Sequence, residues 1–176
     1  MTNSSRRHEM LRVDHAGEYG AVAIYSGQLA VLRRRPGHER IIDQLEEMAS
    51  QEQIHLDAFD AMLSQDHVRP TLFSPIWNMT GFALGVGTAL LGEKAAHACT
   101  EAVETVIEEH YGDQVAELRE SGEEMLAARL EKFRDEEVAH KDLAAAEGAK
   151  EAPAYPLLSA AIRTACRLAI KISEKI

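Results

Sequence analysis

The sequence is poor in cysteine and aromatic residues, and it carries no excess of positive charge. Its 176 residues include two cysteines, and aromatic side chains make up 5% of the chain. Cys99 and Cys166 form neither a metal-ligand spacing nor a disulfide framework, so both are expected to be small buried residues in a reducing compartment. The net charge of −10 argues against a nucleic-acid partner, because nucleic acids bind basic surfaces.

Marks of secretion and of a nucleotide-binding fold are also missing. The first twenty residues contain no apolar signal core, and they leave little room for a transit peptide, so neither is expected. No stretch alternates polar and apolar residues as a strand would, and no glycine-rich dinucleotide fingerprint is present. A hydrophobic content of 45% and a charged content of 27% are ordinary for one folded domain.

Helical periodicity runs through almost the whole chain and predicts an all-α bundle, in a single domain of residues 1–176. The first helix is expected from near Leu11, and Pro153 and Pro156 mark the start of the last. Tyr-Gly-Asp at positions 111–113 is expected to break the chain between the third and fourth helices. The predicted helices cover about residues 11–32, 39–63 and 93–111, then from that break to about 147, and finally 156–176.

Residues 70–92 carry no charged side chain. Their length would permit a membrane span, but Pro75, four glycines and several polar residues interrupt the segment. A transmembrane helix is therefore disfavoured. A crossover buried in the core and a helix lying in the membrane interface both stay open.

The last predicted helix, residues 156–176, is amphipathic. A basic side chain recurs every four residues beside its apolar face, at Arg163, Arg167, Lys171 and Lys175. In an acidic chain this stripe is typical of an interfacial helix attracted to anionic lipid. A bundle helix with a solvated basic side explains the pattern equally well.

Two Glu-x-x-His pairs are the first indication of chemistry: Glu52 with His55, and Glu137 with His140. On a helix this spacing places a carboxylate and an imidazole one turn apart on the same face. In so glutamate-rich a chain, chance supplies roughly one such pair, so the spacing alone is a weak signal.

The surroundings of the two pairs strengthen the signal. Glu18 precedes the first pair and Glu104 precedes the second, at nearly the same distance. The chain thus resolves into two helical hairpins, about residues 11–65 and 93–148. Each offers one lone glutamate and one Glu-x-x-His pair, which is the ligand arrangement of ferritin-like dinuclear carboxylate bundles.

The residue types suit two divalent ions, since four carboxylates offset the charge of the ions and two imidazoles leave coordination positions open. By position, the predicted terminal ligands are Glu18 and Glu104, the bridging ligands Glu52 and Glu137, and the capping ligands His55 and His140. Mixed nitrogen and oxygen donors suit iron or manganese equally. Competitors for the inward positions are His15, Glu101, Glu108 and Glu136, and a metal-free bundle with solvated glutamates stays open.

Four stretches together resemble one known family: RVDHAGEYGA, KFRDEE, APAY and CRLAI-x-ISE. They are similar to the demethoxyubiquinone hydroxylases of ubiquinone biosynthesis, from about Leu11 to the C-terminus. The resemblance implies a ferritin-like four-helix bundle of two hairpins, with a hydrophobic crossover at about 70–92 and a C-terminal amphipathic helix. It also implies a di-iron monooxygenase, and the six predicted ligand positions all match the family pattern.

The activity implied is hydroxylation of the ring of a polyprenylated demethoxyubiquinone or its quinol, with dioxygen and NADH-derived electrons. A substrate with an isoprenoid tail stays in the bilayer, so the resemblance implies a peripheral protein at a membrane surface. That surface is the cytoplasmic side of a bacterial inner membrane, or the matrix side for a processed mitochondrial form. The resemblance leaves open two further kinds of partner: accessory proteins of ubiquinone biosynthesis, and other copies of this chain in a homo-oligomer.

Tyr111, beside His110, is the candidate for relaying electrons or protons, and Tyr25 occupies the matching place in the first half of the chain. The alternative is that both tyrosines are core residues. Two rival functions use the same features: a ferritin-like oxidase or iron-storage subunit, and a metal-free helical adaptor on a membrane surface.

Overall fold

The computed structural model describes residues 3–175, with side chains from residue 5. These residues contain no strand, and the predicted all-α fold is confirmed. The helices are α1 Asn3–Leu32, α2 Glu39–Gln65, α3 Ser74–Leu90, α4 Glu93–Glu120, α5 Glu124–Ala146 and α6 Tyr155–Ser173, with a short 3₁₀ helix at Ala149–Glu151. The described chain divides into two compact units. The first unit contains the residues up to Ala96 together with those from Leu168, and the second contains residues His97–Arg167. That residues 1–176 form a single domain stays a prediction.

In the first unit, α1 and α2 form an antiparallel hairpin. Arg33 pairs with Glu46 at 2.7 Å near the turn, and Arg7 pairs with Asp66 at 2.7 Å at the far end. The expected start of α1 near Leu11 is wrong, because the helix already begins at Asn3. Large apolar side chains from the two helices are almost fully buried between them: Leu11, Leu32, Ile41, Leu45, Met48 and Phe59. Burying each contributes about 1.5–3 kcal/mol.

Helix α3, inside the uncharged segment, packs backbone to backbone against α1. A Cβ added at Gly81 would lie 2.7 Å from the carbonyl oxygen of Gly20, and one added at Gly85 would overlap the carbonyl of Ile24. The glycines therefore permit an approach that any larger residue would prevent. The indole Nε1 of Trp77 donates to Ser173 Oγ at 3.1 Å, which ties α3 to the end of α6.

The opposite side of α3 is apolar and exposed. Its large exposed residues, with those in the flanking turns, are Leu72, Ile76, Met79, Phe82, Leu90 and Leu91. One side of the segment is therefore packed and the other faces outward, and the placement of that outward side in a membrane interface stays a prediction. Among the described helices, none combines the length and the apolar character needed to cross a membrane.

In the second unit, α4 and α5 form a second antiparallel hairpin, held by Arg119 and Glu131 at 2.7 Å. The predicted break at residues 111–113 is wrong, since α4 continues through Gly112 to Glu120. A single glycine inside a helix costs only about 1 kcal/mol, which the packing of a long helix offsets. The helix ends instead at Glu120, and the chain turns at Gly122, where φ is +80° and Glu123 N–H bonds back to Leu118 O at 2.9 Å.

Candidate metal centre

Three residues of the α1–α2 hairpin form a buried ligand group, called here the first half-site: Glu18, Glu52 and His55. Their ligand atoms lie within 4.8 Å of one another. His55 Nδ1 is 3.6 Å from Glu18 Oε2 and 3.9 Å from Glu52 Oε2. Glu52 and His55 share one face of α2 because they are three residues apart, and α1 brings Glu18 to that face.

The α4–α5 hairpin repeats the arrangement in the second half-site: Glu104, Glu137 and His140. These ligand atoms also lie within 4.8 Å of one another, and all three residues are buried. His140 Nδ1 is 3.1 Å from Glu137 Oε2. The structure thus brings together each lone glutamate with its Glu-x-x-His pair inside its own hairpin.

The donor sets fit a divalent metal. Burial of two carboxylates in one place is costly unless a cation or hydrogen bonds offset their charge. The glutamates of the two half-sites are at most 4% exposed. Carboxylate and imidazole are ligands of iron and manganese, so each half-site can hold a divalent ion.

The competing residues have other contacts. Glu101 accepts hydrogen bonds from Tyr155 and Arg163 on α6, Glu108 pairs with Lys141, and Glu136 lies 3.4 Å from Lys132. None of the three belongs to a ligand group within residues 3–175. They serve as links between helices or along a helix surface.

His15, the remaining competitor, is buried between α1 and α2. Its Nε2 lies 3.0 Å from Asp60 Oδ1, and its ring stacks on Tyr19 with centroids 6.2 Å apart. It lies outside the ligand groups found in the described chain. His15 therefore joins the two helices of the first hairpin, one turn before Glu18.

The predicted relay residues lie in buried or half-buried positions. Tyr111 is 2% exposed, and the adjacent ring of His110 is 6.0 Å away, centroid to centroid. His110 Nε2 is 3.0 Å from the buried Gln114 amide nitrogen. Tyr25, 1% exposed, donates to Met48 Sδ at 3.8 Å.

The contacts of α6 with α4 are not apparent from the sequence. Arg163 and Arg167 of the basic stripe pair with Glu101 and Glu109 at 3.0 and 2.9 Å. Burial and then the negative charge of Glu104 raise the pKa of the Cys166 thiol to about 12, so the thiol lies near a predicted ligand. The four-residue spacing of the arginines was visible in the sequence, but their acidic partners were not.

Comparison with known proteins places the chain in a family. The family described as "Ubiquinone biosynthesis protein COQ7" matches residues 5–173. The chain is 51% identical to the 3-demethoxyubiquinol 3-hydroxylase of Rhodospirillum rubrum over 166 residues, which cover 94% of this chain and 76% of the relative. It is 46% identical to the human NADPH-dependent mitochondrial 3-demethoxyubiquinone 3-hydroxylase over 170 residues, which cover 95% of this chain and 76% of the relative.

A more distant relative carries the same kind of name. The mitochondrial 5-demethoxyubiquinone hydroxylase of Saccharomyces cerevisiae is 40% identical over 181 residues, with 95% of this chain and 77% of the relative covered. The mitochondrial names from human and other animal sources specify NADPH, where the resemblance had suggested NADH. The predicted family and the predicted enzyme class, a hydroxylase, are confirmed. The chain belongs to the COQ7 family of ubiquinone biosynthesis proteins, whose curated members are named as demethoxyubiquinone hydroxylases.

Proposed function

We propose that this chain hydroxylates the benzoquinone ring of a polyprenylated demethoxyubiquinone, or of its quinol, in ubiquinone biosynthesis. The observation that carries the proposal is the pair of buried half-sites in a chain of this family. Buried carboxylates and imidazoles in this number suit oxygen chemistry at a metal better than they suit a structural role. The relatives' names supply the reaction and the class of substrate.

Two iron ions are the proposed cofactor, and the six residues of the half-sites are the proposed ligands. Bound iron would supply the activation of dioxygen. The chain's own contribution is a set of anionic oxygens that offsets the metal charge, with imidazoles that complete the donor set. Burial of these groups keeps bulk water away, which strengthens every electrostatic interaction among them.

Reduced nicotinamide is the proposed source of electrons. We predicted NADH, and the names of several mitochondrial relatives specify NADPH, so both are candidates. His110 and Tyr111 are the proposed relay residues. The His110 imidazole and the Tyr111 hydroxyl can each donate or accept a proton.

A membrane surface is the proposed location, because the isoprenoid tail of the substrate stays in the bilayer. The exposed side of α3 and the outward side of α6 are the proposed docking surfaces. On α6, Leu157 and Leu168 are 73% and 57% exposed, and Lys171 and Lys175 are exposed near its end. Apolar residues followed by lysines suit an interface with anionic lipid. Three statements stay predictions: the side of the membrane on which the protein lies, its interaction with accessory proteins, and its assembly into a homo-oligomer.

The decisive experiment supplies the iron-loaded protein with a demethoxyquinone in liposomes, isotopically heavy dioxygen, and either NADH or NADPH. We expect a product that has gained one heavy oxygen atom on the ring, detected by mass spectrometry. Protein that holds iron and consumes dioxygen without this product would overturn the proposal. Iron mineral formation in that case would favour the oxidase or iron-storage alternative.

A further inference from the structure

Helix α6 is fastened to α4 by a partly buried polar clamp, defined here as Glu101, Tyr155 and Arg163. The Tyr155 hydroxyl donates to Glu101 Oε2 at 3.0 Å, and Arg163 Nη2 donates to both carboxylate oxygens at 3.0 and 3.2 Å. The Glu101 side chain is only 10% exposed. Charge-assisted hydrogen bonds to a carboxylate with so little exposure are strong and directional.

The clamp lies one helical turn from a proposed metal ligand. Glu101 and Glu104 are three residues apart on α4 and therefore share a face of the helix. Cys166 is three residues beyond Arg163 on α6, and the charge of Glu104 contributes to its raised pKa. The contacts of Arg163 with Glu101 and of Arg167 with Glu109 lie on either side of Glu104 along α4, so this stretch of α6 runs along the stretch of α4 that contains Glu104.

A single ion pair follows the clamp along the two helices. The Arg167 guanidinium donates to Glu109 at 2.9 Å, beyond Glu104 along α4, but both side chains are more than half exposed. An exposed ion pair contributes little to stability. The clamp, whose carboxylate is buried, is therefore the contact that determines where α6 lies on α4.

We propose that Arg163 and Tyr155 are positioning residues that, through Glu101, hold α6 over Glu104 and keep water out of the second half-site. The inference rests on the proposed function. Hydroxylation places one atom of dioxygen on the ring and releases the other as water, with two electrons from the reduced nicotinamide and two protons. If water enters the site, dioxygen instead takes two electrons from the reduced nicotinamide and two protons from solvent, and it leaves as hydrogen peroxide.

Arg163→Met tests the proposal, since it removes the guanidinium but keeps an apolar stem of similar length. Arg119→Met is the matched control, because it also breaks an arginine–glutamate link in the same unit, to Glu131. The first measurement is the rate at which a chromogenic disulfide reagent modifies Cys166, with mass spectrometry to separate it from the fully buried Cys99. The second is the ratio of hydroxylated product and of hydrogen peroxide to dioxygen consumed, at equal iron content.

We expect Arg163→Met to raise the modification rate of Cys166 about tenfold or more, because the local opening of α6 no longer breaks charged hydrogen bonds. The ratio of hydroxylated product to dioxygen consumed should fall below about one half, and hydrogen peroxide should account for the remaining dioxygen. Arg163→Lys should restore part of both values, and Arg119→Met should match the wild type. A wild-type thiol rate or wild-type coupling in folded, iron-loaded Arg163→Met would overturn the proposal, as would an equal change in Arg119→Met.

Tyr155→Phe tests the same proposal if Arg163→Met does not fold, because Tyr155→Phe removes only a single hydroxyl from the clamp. Its Cys166 should be modified about threefold faster. An unchanged thiol rate in this variant would overturn the proposal. The thiol measurement needs no substrate, so it still tests the clamp if the wild-type chain fails to hydroxylate the quinone and the proposed function is wrong.

Discussion

The imidazole Nδ1 of His55 lies 3.6 Å from the carboxylate Oε2 of Glu18, and the two side chains are 1% and 4% exposed. The residues belong to different helices, so no spacing within either helix can produce this contact. It arises because α1 and α2 pack as an antiparallel hairpin whose apolar side chains fix their register. The metal chemistry proposed for this chain depends on that register.

Loss of one predicted bridging ligand should remove metal and activity together. We expect Glu52→Ala to bind at least about one iron ion fewer per chain than the wild type and to lose hydroxylation by more than about 100-fold. Iron is measured by elemental analysis after anaerobic loading, and helicity by circular dichroism.

Glu47→Ala is the matched control, since Glu47 is exposed on the same helix. It should retain iron and activity. Full iron content and full activity in Glu52→Ala would show that the bridging ligand is wrongly assigned.

The glycine contact between α3 and α1 should be intolerant of a methyl group. We expect Gly85→Ala to lower the free energy of unfolding by at least about 2 kcal/mol, because its Cβ would overlap the Ile24 carbonyl. Gly87→Ala, on the same helix with no neighbour within 4 Å, should raise it by up to about 1 kcal/mol. Denaturant unfolding followed by the fluorescence of Trp77 measures both. Equal stability of the two variants would contradict the close packing of α3.

The exposed side of α3 should contribute to membrane binding. Met79 is 67% exposed, and we expect Met79→Glu to reduce the bound fraction on anionic liposomes about tenfold, because an apolar contact becomes a charge of the wrong sign. Met125→Glu is the control, at a residue 90% exposed on α5 outside both proposed docking surfaces. Flotation measures the bound fraction. Equal binding of the two variants would remove α3 from this role.

Stability at alkaline pH should reveal the environment of Cys166. Its pKa is raised from 9.0 to about 12, so the folded protein keeps the thiol proton after the unfolded chain has lost it. The associated stability is complete below about pH 9 and falls as pH rises, by at most about 1.4 kcal/mol per pH unit. Tyr155, whose pKa is also raised from 10.0 by burial and then by Glu101, acts in the same direction.

Cys166→Ala isolates the thiol contribution, since Tyr155 remains in the variant. The wild type should lose more stability than Cys166→Ala between about pH 8 and about pH 10, as measured by urea unfolding. Parallel losses in the two proteins would show that the thiol is not buried beside Glu104.

The helix boundaries show which local signals are reliable. Gly112 in the sequence suggested a break, but it lies inside α4, and the chain turns at Gly122. Both are glycines in polar surroundings, and their sequence contexts do not distinguish them. The difference is that residues around Gly112 bury side chains on both sides of it, including Tyr111 and Gln114, so that tertiary packing offsets the local cost.

The C-terminal helix shows a second limit. A stripe of four basic residues predicted one common role, either lipid binding or solvation. In the structure Arg163 and Arg167 turn to carboxylates of α4, whereas Lys171 and Lys175 lie near the exposed end. Periodicity identifies residues that share a helix face, but it carries no information about the helix that the face meets.

Residue types and spacings were enough to indicate helices, two hairpins and a candidate set of glutamate and histidine ligands, because hydrophobic periodicity and the one-turn spacing are local properties. Packing between helices was needed to distinguish Glu18 and Glu104, which join the ligand groups, from Glu101, which joins the clamp. All three are buried glutamates on helices, and they differ only in what the neighbouring helix presents to them. That partner is a property of the folded chain, since it comes from residues distant in sequence.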